Sequence, residues 1–231
     1  MVSLGFIGTG AITDAVVQGL HAAGNMKHDI HLSPRSEARS RALAARYDRV
    51  IREDSNATVV AKSDIVFLAV RPHRMPELGG LRFRAEQTVV SFLAGTPIDQ
   101  LRPFVAPAAR LVRLVPLPCI GLRQGPILMM PSDPAVEVLF DKLGDLIVLT
   151  DEANFASASV ITGLMSSHFE LQNVVLYWLK TQKVPDAQAA LYVRSFFCWT
   201  RCYRTRRRPR RTIDRCRGLR DPRRLERSLQ N

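Results

Sequence analysis

Through the first 150 positions, short apolar runs alternate with stretches of helical spacing. Residues 2–7 form an apolar run that stops at Gly8-Thr9-Gly10, and this predicts a buried strand. Residues 11–23 place apolar side chains at helical intervals and close on Gly24, which predicts a helix. The same reading predicts strands at 30–32, 64–70, 88–93, 110–115, 127–130 and 146–149. It predicts helices at 36–47, 54–61, 98–104 and 134–143. The run Asp-Ile-Val-Phe-Leu-Ala-Val at 64–70 is the clearest buried strand, and Arg71-Pro72 ends it. Strands alternating with helices imply an α/β domain with a doubly wound, mostly parallel sheet over residues 1–150. From residue 151 the pattern changes. Helical periodicity runs through 152–179 and resumes at 186–197, as expected for the start of an all-helical second domain. Beyond residue 197 the periodicity is lost.

Composition sharpens that division. The chain of 231 residues is 46% hydrophobic, enough for a sizeable core, and carries a net charge of +12. Residues 198–231 hold thirteen arginines, no lysine and three acids, so +10 of that charge sits in the tail. The remaining 197 residues are nearly neutral. Three of the four cysteines also lie in the tail, and neither a disulfide framework nor a zinc pattern emerges; no metal is expected. No apolar run is long enough to span a membrane, and residues 1–8 enter a strand with no basic leader. A cytoplasmic location, with neither membrane nor specific nucleic-acid partner, is the expectation.

The segment Gly8-Thr9-Gly10-Ala11-Ile12-Thr13 fits G-x-G-x-x-[small] between a strand and a helix. The first glycine permits the tight turn, and the second lets a pyrophosphate approach the backbone. The free N–H groups of the following helix supply a partial positive charge. Thr13 is bulkier than the usual third residue. This is the turn of a Rossmann domain. At the end of the second strand an NAD site places an acid against the ribose 2′-hydroxyl. Here the chain reads Ser33-Pro34-Arg35-Ser36. An arginine with hydroxyl neighbours favours a 2′-phosphate, so NADP (NADPH) is the expected cofactor and NAD the lesser one.

Further segments carry a resemblance. Gly5-Phe6-Ile7-Gly8-Thr9-Gly10, Ser33 to Arg35, Asn56, Ala69-Val70-Arg71-Pro72, Ser91-Phe92-Leu93-Ala94-Gly95 and Arg113-Leu114-Val115-Pro116 follow one another in this order. Together they resemble the pyrroline-5-carboxylate reductase family across the whole Rossmann domain. The resemblance implies an NADPH-dependent oxidoreductase acting on CH–NH bonds. It would reduce a cyclic imine, pyrroline-5-carboxylate, to L-proline in proline biosynthesis. It implies a cofactor site built from Ile7, Gly8, Thr9, Gly10, Ala11, Ile12, Ser33, Arg35, Asn56, Ala69, Val70, Arg71, Pro72, Leu93, Ala94 and Gly95. It also implies a small-molecule imine held near a helical dimerisation domain, and homo-oligomers formed through that domain. Glu152 aligns with an acid of the family's segment next to the substrate. No catalytic residue is assigned: His168 replaces a family tyrosine as a helix residue, with a proton donor as the alternative.

The chain departs from the family pattern at the substrate end. Leu117 stands where the family has asparagine, and Thr162 to His168 keeps one glycine of a serine- and glycine-rich motif. The family's closing motif, which binds the substrate carboxylate, has no counterpart. Yet residues 221–227 can be encoded so that a frame one base later reads Thr-Pro-Gly-Gly-Leu-Asn-Glu, a family-like loop. Residues 198–203 likewise yield Ala-Gly-Leu-Ala-Ala. This predicts a frameshift near Phe197 and a truncated helical domain over 151–197. Alternative readings are an NADP-dependent oxidoreductase of the same fold with another substrate, and a nucleotide-binding remnant without turnover. Taken at face value, the run from Arg206 to Arg211 would bind polyanions by charge alone.

Overall fold

The computed structural model describes residues 2–24 and 27–204, with the side chains of 199–204 excepted. The chain divides into two compact units, one over Met1–Ile161 and one beginning at Thr162. The first unit is a single eight-stranded sheet of order β3-β2-β1-β4-β5-β6-β7-β8. Its strands are β1 (Leu4–Ile7), β2 (Ile30–Leu32), β3 (Val50–Arg52), β4 (Ile65–Leu68), β5 (Thr88–Ser91), β6 (Arg110–Val115), β7 (Pro126–Met130) and β8 (Asp145–Val148). All neighbours pair in parallel except β6 with β7. The doubly wound, mostly parallel sheet expected from the sequence is therefore the fold.

The central strands read as continuous apolar runs because both of their faces are covered. In β4, Ile65 and Phe67 enter one core while Val66 and Leu68 enter the other. The first core receives Val16, Val17 and Leu20 from helix α1 (Ala11–Ala22), Leu43 from α2 (Glu37–Arg46), and Val136, Leu139 and Phe140 from α5 (Pro134–Phe140). Phe6 stacks on Phe67 with ring centroids 4.6 Å apart, and Phe92 and Phe140 pack around that pair. The opposite core takes Val59 and Val60 from α3 (Asn56–Lys62), and Leu101 and Val105 from α4 (Ile98–Val105). Burying a Val, Leu or Phe side chain contributes roughly 1.5–3 kcal/mol, so these two layers hold the helices against the sheet.

Four features differ from the sequence-based expectation. The edge strand β3 was not expected: its three residues run buried, exposed, half-buried and carry no usable periodicity. Proline-bearing 3-10 segments occupy Pro72–Gly80 and Pro118–Leu122, where neither strand nor helix was predicted. The periodicity over 152–179 is broken. Helix α6 (Glu152–Val160) ends in a 3-10 turn at Ile161–Gly163 before α7 (Leu164–Thr181) begins. Helix α6 belongs to the first unit, because its buried Phe155 packs with Val115, Leu128 and Met130 of β6 and β7. The unit boundary accordingly falls after Ile161 rather than at residue 151.

The second unit contains α7 and α8 (Asp186–Arg204), which pack on one another. Helix α8 continues past Phe197 to Arg204, so the irregular tail does not begin at Cys198. The basic run, the shifted-frame loop and the rest of 205–231 lie outside the described residues. Among the described residues no helix is long and apolar enough to cross a membrane.

Candidate nucleotide-binding site

Strand order reverses between β1 and β4, and there the loops leaving the C-terminal strand ends form a crevice suited to a ligand. Every residue expected to hold the cofactor lies at this edge. Ile7 ends β1 and Gly8 to Ile12 follow it, Ser33 and Arg35 follow β2, and Asn56 opens α3 just after β3. Ala69 to Pro72 follow β4, and Leu93 to Gly95 follow β5.

The turn after β1 is built for close backbone approach. Gly8 has φ +102, and a Cβ placed on it would lie 2.5 Å from the Ala69 carbonyl oxygen. Only glycine fits there. Gly10 differs: it is the N-cap of α1, with φ −90, and a Cβ on it would meet nothing within 4 Å. The space in front of Gly10 is open, and no side chain caps the first turn of α1. Its N–H groups at the helix start thus face that space without intrahelical partners. An anion is the natural occupant of such a site.

Side-chain hydroxyls lock the turn. The Ser33 Oγ accepts from the Gly8 N–H at 2.9 Å, which ties the end of β2 to the end of β1. The Thr9 hydroxyl donates to the Ser33 carbonyl at 3.0 Å. Thr13 is fully buried, and its hydroxyl donates to the Gly8 carbonyl at 2.6 Å. This explains why threonine serves where a smaller residue is usual. Its extra atoms replace lost compactness with a hydrogen bond across the turn.

The loop after β2 presents Arg35 at the surface. Ser36 adopts the left-handed region with φ 58 and ψ 58, an uncommon state for a non-glycine residue. Arg35 Nη1 donates to Glu77 Oε2 at 2.6 Å, and Arg74 Nη1 lies 3.8 Å from Glu77 Oε1. No acid stands at the end of β2. The nearest acid of β3's end, Glu53, is buried and committed elsewhere. It pairs with His31 at 2.7 Å and with Lys62 at 3.0 Å. Burial pushes its carboxyl upward, but the hydrogen bonds from Lys62 and His31 outweigh this and hold it below the ordinary range.

Farther along the sheet edge, Arg113 of β6 sits in register with Ser91 of β5. Its guanidinium is buried, pairs with Glu152 of α6 and lies 4.3 Å over the Phe155 ring. Among the described residues its Nε has no hydrogen-bond partner. Burial lowers its affinity for the proton, and Glu152 opposes that shift. Glu152, expected near the substrate, is thus held by Arg113. His168 lies on α7, exposed, with its ring 5.5 Å from that of Phe197 on α8. Sequence reasoning missed Glu77, Arg74 and the role of Thr13. The first two sit in a 3-10 segment that gave no periodic signal, and Glu77 is 42 residues from its partner.

Comparison with known proteins agrees with this geometry. Residues 3–95 match the family described as NADP oxidoreductase coenzyme F420-dependent. Pyrroline-5-carboxylate reductase 3 of Bos taurus is 32% identical over 134 residues, covering 54% of this chain and 42% of that protein. The Pseudomonas aeruginosa pyrroline-5-carboxylate reductase is 28% identical over 179 residues, covering 73% of this chain and 65% of that one. Over these segments the chain is similar to pyrroline-5-carboxylate reductases. The aligned segment spans only 42% and 65% of these two relatives' own length. Solved structures share the fold. The Streptococcus pyogenes 1-pyrroline-5-carboxylate reductase superposes with a TM-score of 0.77 at 19% identity, covering 96% of this chain and 86% of that one. The Plasmodium falciparum enzyme, solved with NADP bound, gives 0.71 at 16% identity, covering 85% and 76%.

Proposed function

We propose that the chain binds NADPH at the β1–β4 crevice and is an oxidoreductase that reduces pyrroline-5-carboxylate to L-proline, a step of proline biosynthesis. One observation carries the cofactor half: an open phosphate turn at Gly10 beside an arginine, with no acid, at the end of β2. The pyrophosphate would rest against Gly10 and the first turn of α1. Arg35 would hold the 2′-phosphate by charge-assisted hydrogen bonds. When bound, the nicotinamide supplies the hydride. The loops after β4 and β5, with Ala69 to Pro72 and Leu93 to Gly95, would orient its ring. Arg113 holds α6 against this side of the sheet and takes Glu152 as its counter-ion. The imine half rests on the kinship with pyrroline-5-carboxylate reductases. Self-association belongs to the same reading, supported by the exposed Leu164, Phe169, Val174, Tyr177 and Trp178 of α7.

Two steps test it. NADPH binding is measured by titration, and NADPH oxidation is then followed with pyrroline-5-carboxylate present. Arg35→Ala should weaken NADPH far more than NADH, and equal losses would refute the 2′-phosphate assignment. A second reading, nucleotide binding without turnover, is favoured by Leu117 in place of the family's asparagine. Tight NADPH binding with no oxidation would select it.

A further inference from the structure

The acid that meets Arg35 has no part in the cofactor scheme above. Glu77 lies on the 3-10 segment after β4 and is half-exposed, as is Arg35. One of its oxygens takes Arg35 at 2.6 Å and the other faces Arg74 at 3.8 Å. Both arginines therefore converge on a single carboxylate beside the loop read as the 2′-phosphate site. The loop that carries Arg35 is tied to the end of β1 by the Ser33 Oγ, which accepts from the Gly8 N–H, and turns at Ser36 in the left-handed region. An oxyanion flanked by two guanidinium groups is what a bound 2′-phosphate would be. Glu77 supplies that oxyanion from the protein itself.

We propose that Glu77 is a specificity-determining residue, which competes with the 2′-phosphate for Arg35 and Arg74 and so lowers the preference for NADPH over NADH. This rests on the reading of residues 33–36 as the 2′-phosphate loop. The phosphate must displace the carboxylate from Arg35 and then tolerate its charge nearby. A ribose 2′-hydroxyl has no negative charge and leaves the Arg35–Glu77 pair intact. The carboxylate therefore penalises the 2′-phosphorylated nucleotide.

The experiment uses the full chain with 2′,5′-ADP and 5′-AMP as probes, which differ only in the 2′-phosphate, and then NADPH and NADH. Glu77→Gln keeps the shape and removes the charge. It should tighten 2′,5′-ADP and NADPH by about two- to fivefold, the span of a half-exposed ion pair, and leave 5′-AMP and NADH unchanged. The gain should shrink in high salt. Arg74→Ala should weaken 2′,5′-ADP and spare 5′-AMP. If Glu77→Gln leaves 2′,5′-ADP unchanged or weakens it, the carboxylate is no competitor and the inference fails while the 2′-phosphate loop stands. If the unmodified chain binds 2′,5′-ADP no better than 5′-AMP, and Arg35→Ala changes neither, the loop assignment falls and takes this inference with it.

Discussion

The two glycines of the phosphate turn should respond to the same substitution in opposite ways. Gly8→Ala places a methyl group 2.5 Å from the Ala69 carbonyl oxygen, at φ +102. The unfavourable backbone region costs about 1–3 kcal/mol. The clash is with backbone at the end of β4, which cannot rotate aside, and adds about 1–2 kcal/mol. A total of about 2–5 kcal/mol lowers Tm by roughly 4–20 °C in a unit of this size. Gly10→Ala meets nothing within 4 Å and sits at φ −90, which alanine adopts freely. Its loss as an N-cap, about 0.5–1 kcal/mol, is offset by the reduced entropy of the unfolded chain, about 0.4–1 kcal/mol. Tm should therefore hardly move. The new methyl, however, projects into the space assigned to the pyrophosphate. Displacing that group costs about 1–3 kcal/mol, or roughly 5- to 150-fold in Kd for NADPH. Thermal unfolding and NADPH titration of both variants are the assay. Equal Tm losses, or undiminished NADPH binding by Gly10→Ala, would refute the reasoning.

Three further outcomes follow from named contacts. Glu152→Ala strips the counter-ion from a buried guanidinium and should destabilise by about 1–3 kcal/mol, and Arg113→Met added to it should recover part of the loss; a double variant no more stable than Glu152→Ala in urea unfolding would contradict this. His21 stacks on Tyr47 with an Nε2 that has no partner among the described residues, and burial lowers its proton affinity below the ordinary 6.5, so stability should fall as pH drops through and below about 6.5. His21→Phe should flatten the urea midpoint between pH 7.5 and pH 5.5, values set about the reference pKa; an unchanged slope would reject the attribution. Asp64 accepts from the Ser3 N–H and hydroxyl, both at 2.8 Å, and the backbone bond above all holds its carboxyl below the ordinary range. Its contribution is present above about pH 4 and lost on acidification, so Asp64→Asn should lower Tm at neutral pH and match the unmodified chain in acid.

Much of the first unit was legible because its signals are local. An apolar run followed by Gly8-Thr9-Gly10 and a helical pattern determines a strand, a turn and a helix between Leu4 and Ala22. Strands β2 and β6 were bounded correctly from periodicity, and β1 and β4 within a few residues. The β3 strand escaped because pairing with β2, not its own pattern, makes it a strand. The break at Ile161–Gly163 escaped because the apolar spacing continues across it. Helix α6 was assigned to the wrong unit for a related reason. Its membership is decided by one buried ring, Phe155, packing on strands far away in sequence.

The sequence by itself determined the cofactor turn, the absence of an acid after β2 and the alternation that winds the sheet. These depend on neighbours in the chain, and backbone sterics and burial period are written residue by residue. Only the tertiary structure decided what the charged groups do. Arg35 meets Glu77, Arg113 meets Glu152, and Glu53 meets His31 and Lys62 across separations from 9 to 42 residues. Electrostatic pairing depends on distance in space, and space between distant segments is set only once the sheet has formed.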